Sequence, residues 1–359
     1  MPTKEQVLDA LKTCKEPELG RDIVTLDMVK NLSIEGGKVS FDYVLTTPAC
    51  PLKDGMEKDA REAVLKVPGV SEVAIKMTAN VNKDLRLENV LPPGVKNIVA
   101  VGSGKGGVGQ SSVAANLAAC LARDGAKVGL LDADVYGPNQ PQMFGVEGFK
   151  PYADADDKID PAVAHGVKLF SMGFLMEPDT PAIWRGPMLH GAIQQFLKDV
   201  KWGELDYLVV DLPPGTGDVQ LTLCQSVPLV GAVVVTTPQS VAISDVRKAV
   251  AMFKKLNVPV LGMVENMSGF VCPNCRHTSH PFRKDGAKEL AAKHMVPFLG
   301  AVPLDGAVCE AGETGTPMAL RHPDSPTSIA LDSVARQVAA QVSLQNHRRR
   351  VLNIETVAS

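Results

Sequence analysis

Aromatic side chains are scarce in this chain, at 4% of 359 residues, with two tryptophans and four tyrosines. A core with so few rings has to be built from Val, Ala and Leu, which suits an α/β protein. No apolar run reaches the roughly 18 residues of a membrane-spanning helix. The start, MPTKEQVLDALK, is amphipathic and lacks the apolar centre of a signal peptide. These absences predict a cytoplasmic protein with no membrane partner. An excess of one charge is missing too: 37 Lys and Arg face 40 Asp and Glu, a net charge of −3. That balance argues against a general nucleic-acid binder. No internal repeat or low-complexity tract is visible. Seven cysteines, an odd number, favour thiol or metal chemistry over a disulfide framework.

The length allows two domains. Residues 1–90 read as a small α+β unit of order αββαβ. Its helix runs from Thr3 to Lys15 and breaks at Glu16-Pro17-Glu18-Leu19-Gly20. Strands are expected at 23–29, 39–45 and 70–75, with a helix from Leu52 to Val67. Cys50 sits between two prolines at the entry to that helix. There a thiol is either activated by the helix N-terminus or simply packed as a buried hydrophobe. Residues 91–97, with Leu91-Pro92-Pro93-Gly94, form a stiff linker. The second domain spans 98–342, and 343–359 is read as a solvated tail carrying His347-Arg348-Arg349-Arg350.

In the second domain apolar runs at 98–102, 127–132, 167–172, 206–211, 231–236, 258–264 and 298–302 alternate with helical segments. This predicts right-handed βαβ units and a mainly parallel sheet covered on both faces. The first run leads into Gly104-Lys105-Gly106-Gly107-Val108-Gly109-Gln110-Ser111-Ser112 and then a helix. Strand, glycine-rich loop and helix in that order make a phosphate-binding loop. Its glycines let backbone N–H groups approach phosphate oxygens, and Ser111 stands where a hydroxyl ligates Mg²⁺. Gln110, however, occupies the place of the lysine that puts a charge on the β/γ-phosphates.

Two further motifs end strands on the side where open α/β sheets bind ligands. In Asp132-Ala133-Asp134 the carboxylates can hold Mg²⁺ through water or activate an attacking water, with Asp134 the stronger candidate. Asp211 is the expected Mg²⁺ carboxylate. The Gly/Pro-rich stretch after it, to Asp218, suits a loop that responds to a γ-phosphate. Asn266 can pair with an adenine edge or cap a turn. Cys272-Pro273-Asn274-Cys275 offers two thiolates, and its completion stays open. His277 and His280 can close a zinc site, two chains can share a four-thiolate zinc site or a 4Fe–4S cluster, or the pair can act as a dithiol.

KGGVG, DADVYGP, DLPPGTGD, ENMSG and CPNC, in this order, resemble the Mrp/ApbC family of iron–sulfur cluster carrier ATPases. EPELG, VTLDMV and TTPACP in the front unit resemble the SufT/PaaD-like iron–sulfur-assembly domain. The resemblance implies a P-loop NTPase of the SIMIBI type with a deviant Walker A loop, working as a homodimer. It implies ATP and Mg²⁺ as cofactors, with Lys105 reaching the partner's nucleotide, and Asn266 and the 303–305 region against the base. It also implies a 4Fe–4S cluster bridged by Cys272 and Cys275 of two copies and delivered to apo-proteins with slow ATP hydrolysis. Cys50 is the functional candidate of the front unit. Gln110 departs from the family pattern and predicts weak hydrolysis. Two other readings fit part of the pattern. One is a spatial-organiser ATPase dimerising on membrane or DNA, the other an ATP-dependent electron donor.

Overall fold

The computed structural model describes residues 2–87, 92–176, 186–272, 274–275 and 277–357. Leu91, the first residue of the expected linker, lies outside them. The chain divides into two compact units, residues 1–82 with 339–359, and residues 83–338.

The first unit runs α1 (Lys4–Leu11), β1 (Val29–Glu35), β2 (Lys38–Leu45), α2 (Lys53–Leu65) and β3 (Glu72–Ala79). Thr3 opens α1 with a reciprocal capping box to Gln6. β2 is central, antiparallel to β1 and parallel to β3. Val7, Leu11, Phe41, Tyr43, Ala60 and Val64 fill the core between helices and sheet. The strand expected at 23–29 is instead a set of turns. Asp22 accepts the Thr25 N–H at 2.7 Å and Asp27 adopts φ 61°, so the chain winds before β1 begins at Val29.

The second unit continues with β4 (Ile98–Ser103), α3 (Gln110–Arg123), β5 (Val128–Asp132), α4 (Gln140–Met143), β6 (Ala162–Ala164), β7 (Val167–Ser171), α5 (Gly186–Asp199) and β8 (Tyr207–Asp211). Then follow α6 (Asp218–Ser226), β9 (Gly231–Thr236), α7 (Ser240–Lys255), β10 (Val260–Val271), β11 (Thr278–Ser279), α8 (Gly286–His294), β12 (Phe298–Leu304), α9 (Gly306–Glu313), α10 (Met318–Arg321) and α11 (Pro326–Val357), whose residues from 339 on belong to the first unit. The sheet order is β6-β7-β5-β8-β4-β9-β10, with β12 on the far side of β10 and β11 folded back on its end. All pairs are parallel except those of β6 and β11. Residues 343–357, expected as a tail, continue α11. No Gly or Pro interrupts 327–357, so nothing breaks the helix. Among the described residues no helix is long and apolar enough to cross a membrane.

Candidate functional site

The glycine loop crosses from the end of β4 to α3. Gly107 and Gly109 adopt φ 78° and 76°, conformations open to glycine at little cost. A Cβ at Gly104 would lie 2.5 Å from the backbone of Asp245 and Val246, and one at Gly109 would collide with the Asn266 amide. The loop, Lys105, Asp134 and Pro214 line a cavity of about 220 Å³. A neighbouring cavity of about 460 Å³ shares Gly109 and Ser112 and is walled by Asn266, Pro303, Leu304 and Asp305. The sequence-predicted loop, carboxylate, Asn266 and 303–305 residues therefore converge on one end of the sheet. Asn266 donates its Nδ2 to Val108 O at 2.9 Å, tying β10 to the loop. Asp305 spends its carboxylate on the Ala307 N–H at 3.0 Å and the Thr327 hydroxyl at 2.8 Å.

Gln110 turns inward and is buried. Its Nε2 donates to Asp211 Oδ1 at 2.8 Å, to Val101 O at 3.2 Å and to Leu212 O, while its Oε1 accepts the Ser103 hydroxyl at 2.6 Å. Every polar atom of the amide is engaged by protein.

Asp132 and Asp211 are register partners on β5 and β8, so both carboxylates leave the sheet together at its buried end. Burial, and then the neighbouring Asp211, push the Asp132 carboxyl well above the usual range. Burial raises Asp211 to about 6, against the hydrogen bonds it accepts from Gln110 and Gln140. Burial also raises Asp134, opposed by the Tyr136 and Gly137 N–H groups at 3.0 and 3.3 Å. Gln140, which sequence reasoning missed, donates its Nε2 to Asp211 Oδ2 at 2.7 Å and to Ser111 O at 3.0 Å. Its buried Oε1 has no hydrogen-bond partner among the described residues. A glutamine in a proline-flanked turn carries no pattern of its own. A glycine cradle that a Cβ would fill, beside a serine hydroxyl and a carboxylate, fits a phosphate chain with hydrated Mg²⁺.

The cysteine pair sits where β10 turns into β11. Cys275 is exposed and Cys272 half-buried. Backbone N–H groups of Cys275 and Asn274 point at the Cys272 sulfur and hold its thiol below the usual range. His280 Nδ1 lies 2.9 Å from Ser268 O. Among the described residues no three Cys, His, Asp or Glu side chains gather as a metal site, so the histidines are not assembled with the thiols. Glu265, also missed, is fully buried at the root of this hairpin. It accepts the Ala287 and Asp285 N–H groups at 2.8 and 3.2 Å and the Ser268 hydroxyl at 2.6 Å.

In the first unit Cys50 precedes α2 but is only 8% exposed, its Sγ 4.0 Å from Met56 Sδ. Burial and the charge of Glu16 lift Glu18 to about 7.

The family model of the NUBPL iron-transfer P-loop NTPases matches residues 94–339. The chain belongs to that family. A second model, iron-sulfur cluster assembly protein, matches residues 4–76 of the front unit. The iron-sulfur cluster carrier protein of Synechocystis is 48% identical over 349 residues, 96% of this chain and 99% of that one. That of Deinococcus radiodurans is 52% identical, covering 95% and 96%, and that of Escherichia coli 40%, covering 95% and 93%. Among solved structures, the Archaeoglobus fulgidus nucleotide-binding protein in complex with ADP aligns with TM-score 0.58 and 39% identity. The alignment covers 66% of this chain and 91% of that one. The Pyrococcus furiosus cell division ATPase MinD, at 23% identity and TM-score 0.51, shares the fold.

Proposed function

We propose that two copies of this chain hold a 4Fe–4S cluster between their Cys272 and Cys275 pairs and pass it to apo-proteins. ATP binding and slow hydrolysis at residues 104–111 are coupled to that transfer. The observation that carries the reading is the course of β10. One strand brings Asn266 against the phosphate loop and, six residues on, presents Cys272, a span of about 20 Å. The relatives named as iron–sulfur cluster carriers support the same reading.

In this reading the 104–112 backbone cradles the phosphates, and Ser111, with Asp211 through water, holds Mg²⁺. Mg²⁺ held there would supply positive charge to the phosphates. Asp134 orients the attacking water, Lys105 reaches the partner copy's nucleotide, and Asn266 with the 303–305 region borders the base. Gln110, spent on Asp211 and three backbone or hydroxyl partners, gives the phosphates no charge, so turnover is slow. The cluster is cargo: Cys272 is biased toward thiolate by the N–H groups around it, and Cys275 is open to a second copy. The first unit, with Cys50, engages cluster donors or clients in the cytoplasm, without membrane or nucleic acid.

The test is anaerobic reconstitution of the wild type and of Cys272→Ala/Cys275→Ala, with iron, sulfide, zinc and molar mass measured. About four irons and four sulfides per dimer, lost in the variant, are expected from Cys₄ ligation. Zinc without sulfide, or an unchanged cluster in the variant, refutes the assignment.

A further inference from the structure

Asp211 is gripped from two sides by neutral amides, Gln110 on Oδ1 at 2.8 Å and Gln140 on Oδ2 at 2.7 Å. Gln140 also ties in a third segment. Its backbone N–H donates to Asp132 Oδ2 at 3.2 Å, and its Nε2 also reaches Ser111 O at 3.0 Å. One side chain thus joins the carboxylate ending β8, the first turn of α3 and the segment 134–143. It is fully buried, yet its Oε1 has no partner among the described residues. A buried carbonyl left unpaired is costly, so this rotamer is paid for by the bond to Asp211. No charge on either amide draws them from Asp211 toward a phosphate, as an ammonium would be drawn.

We propose that Gln140 is a positioning residue that latches Asp211 in the nucleotide-free protein. Mg²⁺ gains the Asp211 carboxylate only when the latch opens, and opening shifts residues 134–143. The proposal rests on the reading of residues 104–111 as the nucleotide site. A water on Mg²⁺ that hydrogen-bonds Asp211 shares an oxygen whose orientation the 2.7 Å Gln140 donor fixes, so its productive approach needs the amide to give way. Metal binding is coupled in this way to release of the loop that carries Asp134.

The test uses the full chain and a fluorescent N-methylanthraniloyl ADP. The Mg²⁺ concentration for half-maximal nucleotide binding is compared between wild type and Gln140→Met, which keeps the length and removes both amide atoms. Loss of a hydrogen bond to a charged group lowers that concentration roughly tenfold in the variant. Amide exchange in 134–143, which changes with Mg²⁺ and ADP in the wild type, no longer does so. Gln140→Asn, too short to reach Asp211, gives the same shift and stands in if Gln140→Met does not fold. An unchanged or higher Mg²⁺ requirement in a cooperatively folding variant overturns the latch and leaves Gln140 a packing residue or a ligand of metal-bound water. If the wild type binds no nucleotide, the nucleotide-site reading falls and the latch with it.

Discussion

Gln110→Lys addresses the weakest link of the proposed ATPase. In the structure the Gln110 amide faces Asp211 Oδ1, Val101 O and Leu212 O, with Ser103 Oγ donating to its oxygen. An introduced ammonium has three N–H donors for those three acceptors. The Ser103 hydroxyl keeps a second acceptor, Lys105 O at 2.9 Å, so the substitution leaves no orphan. The ammonium lowers the Asp211 carboxyl from about 6, which completes its ionisation at neutral pH. With nucleotide present, the lysine extends to the phosphates and adds a charge-assisted hydrogen bond of roughly 1.5–3 kcal/mol. That equals about a ten- to hundredfold gain in ATP affinity, turnover or both. Titration with fluorescent ATP and phosphate release at pH 7.5 measure the two, and iron and sulfide counts serve as the control. Cluster loading is expected to stay the same, because Cys272 and Cys275 lie on another element. A folded variant with wild-type affinity and turnover refutes the assignment of the deficit to Gln110.

Two further outcomes follow from buried carboxylates. Glu265→Gln replaces one acceptor oxygen with an amide that faces an N–H donor of Asp285 or Ala287, costing about 1–3 kcal/mol; a lower urea midpoint at unchanged m-value is expected, and an unchanged midpoint refutes the reading. Glu18 has its folded pKa raised to about 7 from 4.5, so its favourable contribution is present below about pH 4.5 and is lost as pH rises toward 7. Glu18→Gln therefore melts above the wild type at pH 8 and close to it at pH 4.5, and a gap that does not widen with pH refutes the burial argument.

The phosphate loop was legible because its signal is local: an apolar run, four glycines and a helix follow one another along the chain. The strands of the second unit were legible for the same reason, as β4, β5, β7, β8, β9 and β12 begin within two residues of their apolar runs. What the residues themselves did not reveal depends on register. Gln140 meets Asp211 only because β5 and β8 pair Asp132 with Asp211, and nothing near position 140 encodes that pairing. The inward turn of Gln110 is hidden in the same way, since a side chain at that loop position can point to ligand or to protein. The apolar residues of 23–29 suggested a strand, but Asp22 captured a backbone N–H and the chain coiled.

The two halves of β10 explain where any coupling between nucleotide and cysteine pair must act. From Val260 to Glu265 the strand is paired with β9, and from Met263 to Asn266 with β12, so this part moves with the sheet. Beyond it the ladder slips: Asn266 opposes Val302, yet Phe270 opposes Leu304, four residues against two. Met267 occupies the left-handed region at φ 56°, costly for a long side chain. Past the slip, Phe270 and Val271 pair with Ser279 and Thr278, and the Cys272 N–H donates to His277 O at 3.0 Å. The hairpin is thus bound to itself, to β12 at Phe270 and to the rest of β10 through residues 267–269. Glu265 pins the near side of that joint to the start of α8, and Asn266 pins it to Val108. In the proposed coupling, a rearrangement of the phosphate loop would reach the cluster ligands by displacing Asn266.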